Sequence, residues 1–139
     1  MAVLARSVAT LRLFGDDLEP EEISKLLCAS PTWSARKGDV TPSKAPGGVR
    51  IERSGNWRLQ AEDAIPGDVN GQVAAILGQL TSDLDVWKSL VARFDVDMFC
   101  GWFLEESNEG VTLAPSTLLS LAERGIELDI DIYGSGKDD

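Results

Sequence analysis

Between Val8 and Phe14 the side chains alternate, with Ala9, Leu11 and Leu13 on one parity and Val8, Thr10 and Arg12 on the other. That period of two is the signature of a strand with one buried face. Gly15, Asp16 and Asp17 stop the alternation. Pro20 then stands in a first helical turn with Glu21 and Glu22 at the positive dipole end, and Ile23, Leu26 and Leu27 form an apolar stripe. The spacing predicts a short helix ending near Cys28. Trp33 to Lys37 reads as a short edge strand, and Thr41 to Gly48, with two prolines and two glycines, as a mobile loop. From Val49 to Gln60 one parity carries Val49, Ile51, Gly55, Trp57 and Leu59, and the other is mostly polar, which predicts one strand with a wet face and a bulge at Gly55.

After Pro66-Gly67 the period lengthens to three and four. Asp68 is placed to cap a helical stretch that carries apolar residues from Val69 to Phe94, with a break expected near Ser82. Val96 to Leu104 is apolar on both parities and is expected deep in the sheet. A polar turn, a helix from Pro115 to Glu123 closed by Gly125, and a last strand from Ile126 to Tyr133 complete the chain. Residues 1–133 therefore read as one α+β domain and residues 134–139 as a flexible tail.

Leu18-x-Pro20-x-x-Ile23-x-x-Leu26 recurs as Leu113-x-Pro115-x-x-Leu118-x-x-Leu121, at an offset of 95 residues. Either two βαβ units echo each other, or two amphipathic helices entered through proline share a spacing by chance. The first reading gives a ferredoxin-like two-layer sandwich, with helices packed on one face of a mostly antiparallel sheet.

Composition narrows the chemistry. With 139 residues there is room for one core, and the absence of His excludes Ser-His-Asp and Cys-His nucleophiles and His-containing zinc sites. Cys28 and Cys100 form neither a disulfide framework nor a metal-ligand spacing, and both are expected to be reduced and buried. The formal charge of −10 makes nucleic acid an improbable partner. Neither a leader sequence nor a membrane-spanning run stands out, so a cytoplasmic protein without membrane attachment is expected. No cofactor motif is present, and neither cofactor nor metal is expected.

Residues 1–60 hold nine basic and seven acidic side chains, residues 61–139 four and sixteen. Arg36, Lys37, Lys44, Arg50, Arg53 and Arg58, with Trp33 and Trp57, either form a basic aromatic patch or are neutralised by carboxylates of the second half. Glu127, Asp129 and Asp131 share one parity of the last strand. They either hold a divalent cation with Asp97 or Glu105, or are the wet face of that strand, paired across the ladder with Arg6 or Arg12.

The Leu11 to Asp17 strand and acidic turn, Pro20 to Leu27, Pro31-Thr32 with Gly38-Asp39, Gly55-x-Trp57-x-Leu59 and the closing Leu128-Asp-Ile-Asp-Ile-Tyr133 together resemble the bacterial domain-of-unknown-function family number 4279. The resemblance spans nearly the whole chain and implies a stand-alone bacterial α+β domain, with no catalytic residues to transfer. The expected function is a non-catalytic protein-binding module that docks a basic protein, as an immunity protein neutralises a toxin, or a second copy of itself. Its expected binding residues are Arg12, Trp33, Arg58, Glu127, Asp129 and Asp131. The alternative is a small-ligand or divalent-metal-dependent enzyme using the sheet-face carboxylates.

Overall fold

A computed structural model describes residues 2–136. In chain order its elements are β1 (Ala2–Val3), β2 (Arg6–Gly15), α1 (Pro20–Leu27), β3 (Trp33–Ala35), β4 (Val40–Pro42), β5 (Val49–Ile51), β6 (Gly55–Gln60), α2 (Val69–Leu77), α3 (Leu84–Arg93), β7 (Asp95–Phe103), β8 (Glu109–Gly110), α4 (Pro115–Arg124) and β9 (Glu127–Tyr133). Five strands form the main sheet in the order β3-β6-β2-β7-β9, antiparallel except for the parallel pair β7–β9. The architecture is therefore α+β, with four helices beside a mostly antiparallel mixed sheet. Among the described residues no helix is long and apolar enough to cross a membrane.

The alternation in β2 divides the molecule into a dry side and a wet side. Ala9, Leu11 and Leu13 are wholly buried and join Trp57 and Leu59 of β6 and Val96, Met98 and Cys100 of β7 in one core. Ile23 and Leu27 of α1, Val73 and Ile76 of α2, Trp87 and Leu90 of α3 and Leu121 of α4 complete it. All four helices therefore cover the same sheet face. Each fully buried Leu or Ile side chain contributes roughly 1.5–3 kcal/mol relative to exposure.

Several expectations need correction. The segment from Val49 to Gln60 is two strands: β5 pairs with β4 in a separate hairpin, β6 belongs to the main sheet, and Glu52 to Ser54 turn between them. The expected mobile loop is largely this hairpin, with Gly47 at φ 72° in its turn. Gly55 forms no bulge but pairs in register with Gly15. A Cβ there would lie 2.7 Å from the Gly15 carbonyl oxygen and 2.8 Å from Leu18, so the close packing of the turn after β2 requires the glycine. The long helical pattern breaks near Ser82 as expected, and the second helix is capped by Asp83, which accepts a hydrogen bond from the Asp85 amide. The most central strand is β2, and β7 lies one place further out. Residues 134–136 have no regular structure, and the rest of the expected tail lies outside the described residues.

The internal echo has a geometric basis at the helix ends but not in what the helices bury or join. Pro20 and Pro115 both open helices, and both helices end in a left-handed residue, Cys28 at φ 63° and Gly125 at φ 72°. Ile23, however, is 0% exposed while its counterpart Leu118 is 47% exposed. The main-sheet strands before and after α1, β2 and β3, are separated by β6, whereas those before and after α4, β7 and β9, are adjacent and parallel.

Two polar connections hold helices to the frame. Buried Ser7 donates to Gln72 Oε1 at 2.6 Å and accepts from the Asp68 amide, while Gln72 Nε2 donates to the Ser7 and Glu62 carbonyls. This network fixes the start of α2 against β2. Asn70 reaches from α2 to α4, where its Oδ1 accepts from the Ala114 amide and the Thr117 hydroxyl and its Nδ2 donates to the Thr112 carbonyl. Ala114, the residue preceding α4, has no side chain able to do this itself.

Gln72→Leu removes the acceptor of the buried Ser7 hydroxyl and a donor to the Glu62 carbonyl, while the Ser7 carbonyl keeps the Ala64 amide. It is expected to lower the unfolding free energy by roughly 1–3 kcal/mol, read by urea titration.

Candidate functional site

The sheet face turned away from the helices is polar, and its residues line up across the strands. Register places Trp33 of β3, Arg58 of β6, Arg12 of β2, Asp97 of β7 and Glu127 of β9 on one transverse rung. One rung thus brings together four of the six expected binding residues. Asp129 is on the next rung beside Phe99, and Asp131 on the one after, beside Gly101. Two arginines side by side on adjacent strands repel each other.

The repulsion is settled asymmetrically. Arg12 is gripped by Asp97 through two parallel bonds, Nε to Oδ1 at 2.8 Å and Nη2 to Oδ2 at 2.6 Å, with Asp129 Oδ2 at 3.5 Å from the same Nη2. Its guanidinium also lies 4.4 Å from the Phe99 ring centre and 5.1 Å from that of Phe14. The Asp97 hydrogen bond raises the affinity of Arg12 for its proton, against the opposing effect of burial. Arg58 has no such partner. Its Nε donates to Asn56 Oδ1 at 3.2 Å, its guanidinium faces Trp33 at 5.6 Å and Phe14 at 5.7 Å, and no carboxylate pairs with it among the described residues. Burial, and next the charge of Arg12, lower its pKa, although an arginine so placed stays protonated.

Above Arg58 the open face becomes a cavity of about 470 Å³. Thr10, Asn56, Arg58, Gln60 and Phe99 lie along its floor, and Trp33 and the β4–β5 hairpin form its sides. Glu52, only 4% exposed, anchors that hairpin. Its Oε1 accepts from the Thr41 hydroxyl at 2.7 Å and lies 3.3 Å from Arg50 Nε, and its backbone bonds to Gly38 and Asp39. Sequence reasoning missed Glu52 and this wall. The available signal was Val40-Thr-Pro and Val49-Arg-Ile flanking the Pro/Gly segment, the pattern of a hairpin.

The proposed basic aromatic patch shrinks to Arg58, Arg50 and Trp33. Trp57 lies on the helical side, where its Nε1 donates to Ser24. Arg36 pairs with Glu19 and Glu21, Lys37 with Asp16, and Arg50 with Glu52. This neutralisation is local to the first half of the chain, not supplied by the second half as one reading had it. Arg6 binds Asp63 and stacks on Phe103, so it does not pair with the last strand.

The carboxylates of β9 form its wet face, with the Asp129 side chain 60% exposed. Asp97, the proposed fourth ligand of a cation site, has both oxygens engaged by Arg12. No group of three or more Cys, Asp or Glu is placed to share a metal ion among the described residues. Ile132, on the other parity of this strand, is 63% exposed. Cys100 is buried, and burial pushes its thiol up to about 11, whereas Cys28 is exposed, contrary to expectation, because it terminates α1 at the surface.

These features define an α+β domain with one helix-covered sheet face and one open polar face. A family model described as a domain of unknown function, DUF4279, matches residues 5–135, and the chain belongs to that family. No match was found among curated proteins or among solved structures.

Asp97→Asn is expected to cost on the order of 1–3 kcal/mol, between the values for exposed and buried pairs, whereas Arg58→Gln should leave stability unchanged or raise it. Paired chemical denaturation curves check this. Cys100 is protonated in the folded state and ionised in the unfolded state between pH 9 and about 11, so stability falls as pH rises through that window. The difference between wild type and Cys100→Ala should show the slope, at most about 1.4 kcal/mol per pH unit.

Proposed function

We propose that the chain is a non-catalytic binding module that works through the open face of its sheet. The observation that carries this reading is the contrast between two neighbouring arginines, one fully engaged by carboxylates and the other left at the floor of a cavity. A charge kept partly desolvated without a counter-ion contributes nothing to folding, and its natural use is recognition. Catalysis is disfavoured because the candidate acid-base carboxylates of β7 and β9 are either clamped by Arg12 or open to water, and none lies in an apolar pocket. The interleaved order of β3, β6, β2 and β7 supports reading the domain as a ferredoxin-like sandwich extended by β9.

A protein partner is the second reading, and the sheet edge favours it. The outer side of β9 pairs with no strand among the described residues, and exposed Ile132 and Tyr133 stand beside three carboxylates. Antiparallel self-pairing would set these carboxylates against their own copies, so a strand bearing basic side chains fits this edge better than a second copy.

Thermal unfolding against a panel of small anions, cations and neutral compounds tests the main reading. A ligand of the open face should raise Tm in wild type and lose that effect in Arg58→Gln, and it should be recovered chemically unchanged. A compound turned over by the protein would reinstate the enzyme. A strictly salt-sensitive heteromer seen by light scattering, abolished by Asp131→Lys and untouched by Arg58→Gln, would move function to the β9 edge.

A further inference from the structure

The charges around the cavity on the open face reduce to a single unanswered one. Arg12 is matched by Asp97 and Asp129, and Arg50 by Glu52. Arg58 alone is left, with its Nε bonded to Asn56 and both Nη groups without a hydrogen-bond partner among the described residues. Two parallel N–H groups on a planar fork match the two oxygens of a carboxylate. One positive charge suits a monoanion better than a dianionic phosphate.

The surroundings restrict the rest of the ligand. Trp33, 39% exposed, stands at the edge of the cavity on the same rung as Arg58, and Phe99 lies on the floor. Phe99 already carries the Arg12 guanidinium, which leaves Trp33 as the ring against which a flat apolar body can stack. Thr10, Asn56 and Gln60 supply a few polar contacts beside these rings. A volume of about 470 Å³ is within the range of small-molecule sites. The net charge of −10 opposes the approach of an acidic protein or polyanion far more than that of a single carboxylate.

We infer that the open-face cavity binds a small aromatic monocarboxylic acid, its carboxylate on the Nη groups of Arg58 and its ring against Trp33. This rests on the reading of the open face as a binding surface and adds the chemical class of its ligand.

Titrations of the isotope-labelled full chain, followed by amide and indole NMR, test it with indole-3-acetate, indole-3-acetamide, phenyl phosphate and a short peptide with a free C-terminal carboxylate. The expected result is saturable binding of indole-3-acetate that shifts the Trp33 indole and the amides of residues 10, 12, 56 and 58. The acetamide, and the Arg58→Gln variant with indole-3-acetate, should each bind at least about tenfold more weakly. Trp33→Ala should weaken the acid while leaving the spectrum of the unliganded fold in place. Equal binding of acid and amide at these residues would overturn the carboxylate assignment and leave open-face binding standing. Tighter binding of phenyl phosphate would replace the monocarboxylate by a phosphate ester, and binding of the peptide alone would replace the small acid by a chain terminus. Shifts confined to other surfaces, or none with any probe, would overturn both the ligand class and the open-face reading.

Discussion

The register of β2 places Arg12 between Arg58 on one neighbouring strand and Asp97 on the other, and much of the open face follows from that placement. A guanidinium held by two carboxylate oxygens is fixed in direction as well as in charge. Being fixed, it cannot turn to share Asp97 with Arg58. Because side-chain direction reverses with each residue of a strand, a one-residue slip of β2 would bury Arg12 and expose Leu11 and Leu13 together. The apolar core thus enforces the register that organises the polar side.

Much of this was legible in the amino-acid sequence because alternation and helical period are local signals. The dry parity of β2, the proline entries of α1 and α4, the Asp68 cap and the wet parity of β9 are all properties of contiguous residues. What stayed hidden depends on residues far apart in the chain. Parity puts Arg12 and Arg58 on the wet sides of their strands, but only the pairing of β2 with β6 and β7 makes them neighbours and assigns Asp97 to one of them. The division of Val49 to Gln60 was missed for a related reason: its local trace is a single charged residue, Arg53, on the apolar parity, and the turn there goes with a hairpin that pairs apart from the main sheet.

Charge was legible in amount but not in arrangement. The basic first half and acidic second half suggested mutual neutralisation between them. Arg6 and Arg12 do meet carboxylates of the second half, but Arg36, Lys37 and Arg50 meet those of the first, Glu19 and Glu21, Asp16 and Glu52. The acidic excess of the second half consequently remains largely at the surface, including the outer strand β9, where like charges discourage edge-to-edge association of identical copies.

Asn70 gives the helical layer a dependence that neither helix would have alone. The amide at the entrance to α4 is satisfied by a side chain borrowed from α2, some forty residues earlier. The last helix is therefore not an autonomous appendage: its entry is held by the middle of the chain. Loosening the first turn of α2 loosens that entry too, and with it the footing of the edge strand that follows.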